Sequence, residues 1–439
     1  MTINIGLIGL GTVGGGVYNL LKRKSETINS RVGCDVKIKK VCDLRQELKK
    51  DLGIPEEIFT TEFRDIIDDD EISLVVELTG NPEFAFEIIS ESFKKSKHVV
   101  TANKALLATR WPEIFSLARK NNCLIYFEAS VGSGIPVIQG INEGLIANRI
   151  DEIKGVLNGT TNYILTVMSK SNSTFETALE TAIDEGFAEP DASADINGLD
   201  AAHKICILAN VINTYPVDFN DIYCEGIGDM QLVDIKYATD MFGFNIKLLA
   251  VMKRHENSVE IRIHPALLPK EHMLASVNYE NNGILVKGDA VGQVMFYGKG
   301  AGRYPAASAV VSDVIYLAQK INNNIAGDIP YIPYIHTSGD DKTQVLCIDE
   351  LEFQYYLRFT TVDKPGVLSR ISGILGMNNI SIVSCFQKGY SSEDEVHILM
   401  VTHKANEGSL KKSLEEINGL DVVKKKSVYI RIESEEEIC

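Results

Sequence analysis

The chain has 439 residues, 45% of them apolar and 24% charged, with a formal net charge of −16. That length exceeds one ordinary core, so two to four domains are expected. The acidic balance argues against a nucleic-acid or anionic-membrane partner, and the apolar runs fall short of the roughly 18 residues of a membrane span.

The start, Met1 to Leu10, reads as a strand, because it lacks the basic head and small-residue cleavage site of a signal peptide. Eight cysteines, none in a CxxC pair, read as reduced thiols of a cytoplasmic protein. The histidines lack metal-ligand spacing. Ile3 to Ile8 has the apolar pattern of a strand buried on both faces. It runs into Gly9-Leu10-Gly11-Thr12-Val13-Gly14, and a helix is expected from about Val13 to Lys24. This is GxGxxG in the strand–turn–helix context that gives the motif meaning. Gly9 permits the turn, Gly11 lets backbone approach a pyrophosphate, and Gly14 lets helix pack on strand. The free N–H groups of the helix start, around Thr12 and Val13, receive the anion.

Val36 to Cys42 is the expected second strand, ending at Asp43. An acid there binds the ribose hydroxyls of NAD, whereas Arg45 suits the 2′-phosphate of NADP, so the choice of NADP or NAD stays open. Leu74 to Leu78 is a third strand, closed by Thr79-Gly80; Val99 to Thr101 is a fourth, closed by Ala102-Asn103-Lys104; Leu124 to Phe127 is a fifth. Ligands of a doubly wound sheet lie beyond the carboxyl ends of its strands, where Thr79, Gly80, Asn103 and Lys104 fall.

The glycine-rich stretch from Phe127 to Pro136 either turns carbonyls toward a hard cation or simply connects elements. Ile150 to Asn158 reads as a strand, followed by the polar turn Asn158-Gly159-Thr160-Thr161-Asn162 and a helix from Tyr163 to Lys170. Glu189, Asp191, Asp195 and Asp200 then place four carboxylates within 12 residues. A helix is expected from near Gly198, with Asp200 and Lys204 four apart on one face. On a surface such a pair contributes about 0.3–0.5 kcal/mol. Ala201-Ala202 and the apolar stretch after Lys204 instead predict a mostly buried helix, where a lysine needs a partner or a purpose.

These motifs, in order, resemble those of homoserine dehydrogenases: Gly9 to Gly14, Thr101-Ala102-Asn103-Lys104, Glu128-Ala129-Ser130-Val131-Gly132, Asn158 to Tyr163, Ala188-Glu189-Pro190-Asp191 and Asp200-Ala201-Ala202-His203-Lys204. Gly298-Lys299-Gly300-Ala301-Gly302, with Pro305 to Ala309, is similar to that family's second glycine loop. The resemblance extends from residue 1 to about 322. Three positions depart from it: Ser133 for an alanine, Phe187 for an aromatic with a hydroxyl, and Lys299 for a proline.

The resemblance implies NAD(P)H-dependent reduction of L-aspartate 4-semialdehyde to L-homoserine, in threonine and methionine biosynthesis. It makes Lys204 the general acid, sets Lys104 beside carbonyl and nicotinamide, and gives Asp200 an orienting role. Glu189 and Asp195 hold the substrate ammonium, with Gly159 and Thr160 at the substrate and Gly302 at the cofactor. Glu128, Val131, Ser133 and Ile135 supply oxygens to a sodium-like monovalent cation. Hydride transfer to an aldehyde builds negative charge on oxygen, which fits fixed cations.

Residues 323–350 read as a linker. Strands are expected at Phe353–Thr360, Ile380–Phe386, Glu395–Thr402 and Val422–Ile430, with helices from about Val367 to Met377 and from Ser409 to Asn418. This βαββαβ order is ferredoxin-like. Asp363-Lys364-Pro365-Gly366-Val367-Leu368 followed by Asn378-Asn379-Ile380-Ser381-Ile382 resembles an ACT domain, a module that commonly binds amino acids at a subunit interface. The resemblance implies threonine as effector, held by Asp363, Gly366 and Asn379. Glu435-Glu436-Glu437 reads as a solvated tail.

The expected fold class is α/β: a Rossmann-type domain over 1–130, with 305–322 packing back on it; an α+β substrate and dimerisation domain over 131–304; and a ferredoxin-like regulatory domain over 351–432. A homodimer or homotetramer is expected. The lack of an aspartate-kinase-like segment suggests a monofunctional enzyme, and removing residues beyond about 350 is expected to spare activity. The alternatives are a dehydrogenase of another amino-acid aldehyde or of aspartate, and a cofactor-sensing regulator without catalysis.

Overall fold

A computed structural model describes residues 2–326, 332, 342–389 and 395–434. The linker expected over 323–350 therefore lies partly outside the described residues, and Glu435 to Glu437 lie wholly outside them. The chain forms two compact units interleaved in sequence: Met1–Ile153 with Asp200–Ile222 and Glu280–Gln344, and Lys154–Leu199 with Tyr223–Tyr279 and Val345–Cys439.

The first unit is built on a parallel sheet of β1 (Thr2–Ile8), β2 (Asp35–Cys42), β3 (Phe59–Thr60), β4 (Ile72–Glu77), β5 (His98–Thr101) and β6 (Ile125–Tyr126), in the order β3-β2-β1-β4-β5-β6. Ile3, Ile5, Leu7, Leu74, Val75 and Val76 are all buried, as strands covered on both faces require. Helix α1 (Thr12–Arg23) follows β1 directly. The helix Arg303–Asn322 packs on α1 so closely that a Cβ on Gly16 would stand 2.9 Å from the Arg303 side chain. The same unit holds an antiparallel hairpin, Asn281–Gly288 with Gly292–Lys299.

In the second unit the long antiparallel strands Phe244–Arg254 and Val259–Pro269 pair over their full length. Sequence reading predicted neither these nor the hairpin. Val259 to Leu268 is buried at every position, so no in/out alternation marks it, and Pro265 interrupts the pattern. The C-terminal strands Glu352–Val362, Ile382–Gly389, Glu395–Thr402 and Val423–Ile432, with helices Val367–Met377 and Glu407–Asn418, form the expected ferredoxin-like arrangement. Its spatial strand order is fourth, first, third, second. The last strand also pairs in parallel with Val259–Pro269, Ala266 opposite Arg431. A buried bidentate pair, Arg358 with Asp234, fastens this fold to the helix Leu232–Phe242.

Candidate active site

At the carboxyl end of β1, Gly9 has φ 94, and a Cβ on it would meet the Leu78 carbonyl at 2.7 Å. A Cβ on Gly14 would lie 1.9 Å from the Gly9 carbonyl oxygen, so the strand–helix crossing admits hydrogen alone. Gly11 caps α1 without any side-chain hydrogen bond, and the N–H groups of such a first turn, here Thr12 and Val13, suit an anion. Gly302, with φ 126, caps the helix Arg303–Asn322 in the same uncapped manner.

Asp43 is buried, and both its oxygens are engaged. It accepts from Leu10 N–H at 2.6 Å, from Arg45 N–H at 2.9 Å, and from the Arg45 guanidinium at 3.1 Å. Burial works against its charge, but these donors hold its carboxyl below the usual range. The Arg45 guanidinium stands 3.7 Å from the position of a Cβ on Gly11, beside the phosphate loop.

Thr79 and Gly80 follow β4, and Asn103 and Lys104 follow β5. Glu77, which sequence reading passed over, organises both loops. Fully buried, it accepts from Thr79 N–H and Oγ1, each at 2.6 Å, and from Thr101 Oγ1 at 2.6 Å. Burial raises its pKa against the pull of those donors. A charged residue closing the apolar run Leu74-Val75-Val76 was the available signal. Asn103 caps the helix Lys104–Lys120 by accepting from Leu106 N–H, and donates to the Thr79 carbonyl.

Lys104 is thus the first residue of that helix, where its charge opposes the helix dipole. Its Nζ lies 2.8 Å from Asp200 Oδ1. The other oxygen, Oδ2, lies 2.7 Å from Lys204 Nζ. Asp200 and Lys204 are buried on the helix Leu199–Ile212, while the Lys104 side chain is 42% exposed. Burial would raise the Asp200 pKa, but the ammonium groups of Lys204 and Lys104 more than offset it and hold the carboxyl well below its usual range. One carboxylate therefore aligns two ammonium groups, one enclosed and one open to a ligand.

Glu128 is a second buried carboxylate. It accepts from Ile138 N–H at 2.9 Å and Gln139 N–H at 2.8 Å, and its own N–H donates to Asp313 at 2.8 Å. Burial pushes its pKa up to about 7, and that of buried Asp313 rises too. Ser133 has φ 56, strain of about 1–3 kcal/mol for a non-glycine residue. Its Oγ is buried with no hydrogen-bond partner. Val131 and Ile135, in the same loop, are buried. A buried serine hydroxyl without a partner, the buried carboxyl of Glu128 and that of Asp313 on the helix Arg303–Asn322 fit a hard cation. Among the described residues no three His, Cys, Asp or Glu side chains cluster as a metal site.

In the second unit, Asn158 caps the helix Gly159–Ser171 by accepting from Thr161 N–H at 2.8 Å. The expected polar turn is thus the first turn of the helix, which begins four residues before Tyr163. The Asn158 amide donates to Asp195 at 2.6 Å, and Thr160 donates to the Phe187 carbonyl at 2.8 Å. The Phe187 ring stacks on Tyr163 at 4.7 Å. Glu189 is exposed in the segment between the helices Phe175–Asp184 and Ser193–Ile196. Lys247, also unanticipated, is buried and donates to Asn162 at 3.0 Å and to the Val277 carbonyl. Burial, aided by nearby Lys170, lowers its pKa to about 7.

A pocket of about 350 Å³ opens in the C-terminal fold, lined by Thr361, Asp363, Lys364, Gly366, Gln387 and Ile398 among others. Gly366, φ 88, caps the helix Val367–Met377 with no side-chain bond. Asn379, φ 60, closes that helix and does not line the pocket.

Three family models match this chain: homoserine dehydrogenase over residues 136–315, the homoserine dehydrogenase NAD-binding domain over 9–128, and the ACT domain over 355–422. A homoserine dehydrogenase of Synechocystis is 41% identical, covering 98% of this chain and 100% of the relative. The chain belongs to the homoserine dehydrogenase family. A homoserine dehydrogenase of Neisseria gonorrhoeae is 39% identical over 98% of this chain and 99% of its own length. The crystal structure of the homoserine dehydrogenase of Thiobacillus denitrificans superposes with a TM-score of 0.93 at 38% identity, covering 99% of this chain and 98% of that one. A hyperthermophilic archaeal homoserine dehydrogenase, solved in complex with NADPH, matches with a TM-score of 0.62 at 26% identity over 74% of this chain. The homoserine dehydrogenase family membership makes this chain an NAD(P)-dependent oxidoreductase with a Rossmann-type sheet, a mixed-sheet substrate domain and an ACT domain. Among the described residues no helix is long and apolar enough to cross a membrane.

Proposed function

We propose that the enzyme reduces L-aspartate 4-semialdehyde to L-homoserine, and that the three charges Lys104, Asp200 and Lys204 carry the reaction. The observation behind this is the two-sided contact of Asp200, 2.8 Å from Lys104 and 2.7 Å from Lys204. A bound nicotinamide supplies the hydride. Lys204 Nζ gives its proton to the oxygen on which negative charge develops, and Lys104, more exposed, stabilises that charge. Asp200 fixes both ammonium groups, so little reorganisation is needed as charge forms.

Glu189 and Asp195 take the α-ammonium of the substrate, with Gly159 and Thr160 presenting helix-start N–H groups to its carboxylate. Gly9, Gly11, Thr12, Val13 and Gly14 hold the pyrophosphate, with Thr79, Gly80, Lys104 and Gly302 around the rest of the cofactor. NADP is the favoured cofactor, because Asp43 is occupied by Leu10 and Arg45, while Arg45 stands at the phosphate loop. A sodium-like cation would be held by oxygens of Glu128, Val131, Ser133 and Ile135, chiefly those of the backbone, while the Glu128 carboxylate, bonded to Ile138 and Gln139 N–H, fixes the loop.

The assignment of 1–130, with 305–322, to cofactor, 131–304 to substrate and dimer contacts, and 351–432 to regulation belongs to the same reading. So does a place in threonine and methionine biosynthesis, a cytoplasmic homodimer or homotetramer, and inhibition by threonine. The pocket containing Asp363 and Gly366 is the proposed threonine site; the uncapped helix start suits an amino-acid carboxylate. The test is the loss of reduced-nicotinamide absorbance with aspartate semialdehyde, compared with other amino-acid aldehydes. Turnover confined to another aldehyde would remove the assigned substrate.

A further inference from the structure

Arg431, on the last strand of the C-terminal fold, is 1% exposed. On one side it meets Glu407, which is fully buried, through Nε at 3.0 Å and through Nη2. On the other, its Nη1 donates to Glu225 at 2.7 Å. Tyr223 Oη accepts from Arg431 at 3.1 Å and donates to the same Glu225 oxygen at 2.9 Å. Glu407 already balances the guanidinium, and Lys411, 3.5 Å from Glu407, has its own carboxylate in Asp349 at 2.6 Å. A second carboxylate is therefore not needed for charge neutrality. What it fixes is the loop that carries it.

That loop is the seat of the turn following Asp195. Glu225 N–H donates to the Ile263 carbonyl at 2.8 Å, which pins the loop to the long antiparallel pair. The next residue, Gly226, lies against the turn: a Cβ there would stand 2.1 Å from the Ile196 carbonyl oxygen and 2.7 Å from Asn197 Cα. Ile227 N–H donates to the same Ile196 carbonyl at 2.9 Å. Cys224 Sγ lies 3.3 Å from the Asn197 carbonyl. Gly198 N–H, in turn, donates to the Asp195 carbonyl at 3.0 Å. The turn Asp195 to Gly198 thus rests on residues 224–227, and those rest on Arg431.

We infer that Arg431 and Glu225 are positioning residues for Asp195: the ion pair from the C-terminal fold holds the loop beneath the Asp195 turn and so, together with the Asn158 amide at 2.6 Å, sets where the Asp195 carboxylate stands. The inference rests on the assignment of Asp195 to the substrate ammonium. It makes substrate affinity depend on a residue of the regulatory fold.

The test uses the full chain and steady-state kinetics with homoserine. Glu225→Gln keeps the shape and removes the charge, on a side chain that is 35% exposed. It should raise the homoserine KM by roughly 2- to 30-fold, the span of couplings carried through packed networks. Turnover at saturation, the cofactor KM and the melting temperature should stay near parental. Glu225→Asp, which keeps the charge, should recover part of the loss. Gly226→Ala, pressing directly on the turn, should raise the same KM. Asp195→Asn is the reference. A raised KM in Asp195→Asn with a parental KM in Glu225→Gln would overturn the inference. A parental KM in Asp195→Asn would instead remove Asp195 from the substrate, and the inference with it. A fall of turnover and melting temperature together in Glu225→Gln would make the ion pair a staple of the fold and overturn the positioning role.

Discussion

Lys204 reaches Asp200 at 2.7 Å within a single helical turn, with both side chains buried. Removing one partner of such a buried pair leaves an uncompensated charge and costs roughly 3–5 kcal/mol. Asp200→Asn should therefore lower the melting temperature as well as turnover, and calorimetry checks the former. The pH dependence follows from the depressed carboxyl. Its contribution to stability is present above 3.8, its ordinary value, and is lost only as pH falls through the lower folded value. The parent should thus take up one more proton on unfolding below about pH 4 than Asp200→Asn does, since the other depressed carboxyls, Asp43 among them, titrate in both. An identical acid limb in both proteins would show that this carboxylate is not the group titrating.

The proposed preference for NADP rests on Arg45. Arg45→Ala should raise the KM for NADPH by about tenfold or more, the loss expected for one charge-assisted contact. It should also release Asp43 to meet a ribose, so the KM for NADH should stay level or fall. Equal increases for both cofactors would place Arg45 away from the 2′-phosphate.

The Glu128 loop predicts a dependence on sodium. At equal ionic strength, sodium chloride should raise the melting temperature above that in choline chloride, and Glu128→Gln, which loosens the loop held at Ile138 and Gln139, should shrink the difference. No difference in the parent protein would remove the cation from this loop.

Much of this was legible in the sequence because the chemistry sits where chain geometry is local. Asp200 and Lys204 are four residues apart, and Gly9 to Gly14 span one turn, so periodicity and motif context reach them. Glu77 escaped because a single acid closing an apolar strand carries no periodic or motif signal of its partners. The contacts of Arg358 with Asp234 and of Arg431 with Glu225 join residues 124 and 206 positions apart. No local pattern announces them. They also change one expectation. The C-terminal fold looked separable at about residue 350, but its removal would strip Asp234 of Arg358 in a buried site. Truncation should therefore destabilise the remaining chain.

Threonine sensitivity is better tested in the intact chain for that reason. Asp363→Ala, in the pocket and away from Arg358, should leave basal turnover unchanged and raise the threonine concentration needed for half-inhibition by about 10- to 150-fold, the loss expected for one contact to a charged group. Unchanged inhibition in this variant would place the effector elsewhere; a parent indifferent to millimolar threonine would leave the pocket to a different ligand.

The central claim is that Lys204 delivers the proton beside a carboxylate shared with Lys104. Its most direct test is the turnover number of Lys204→Ala for aspartate semialdehyde, measured alongside NADPH affinity by fluorescence titration. Turnover should fall by about 10² to 10⁴, the contribution of a positioned general acid, while cofactor affinity stays near parental because the glycine loop belongs to β1 and α1. A folded Lys204→Ala enzyme with near-parental turnover would contradict the account.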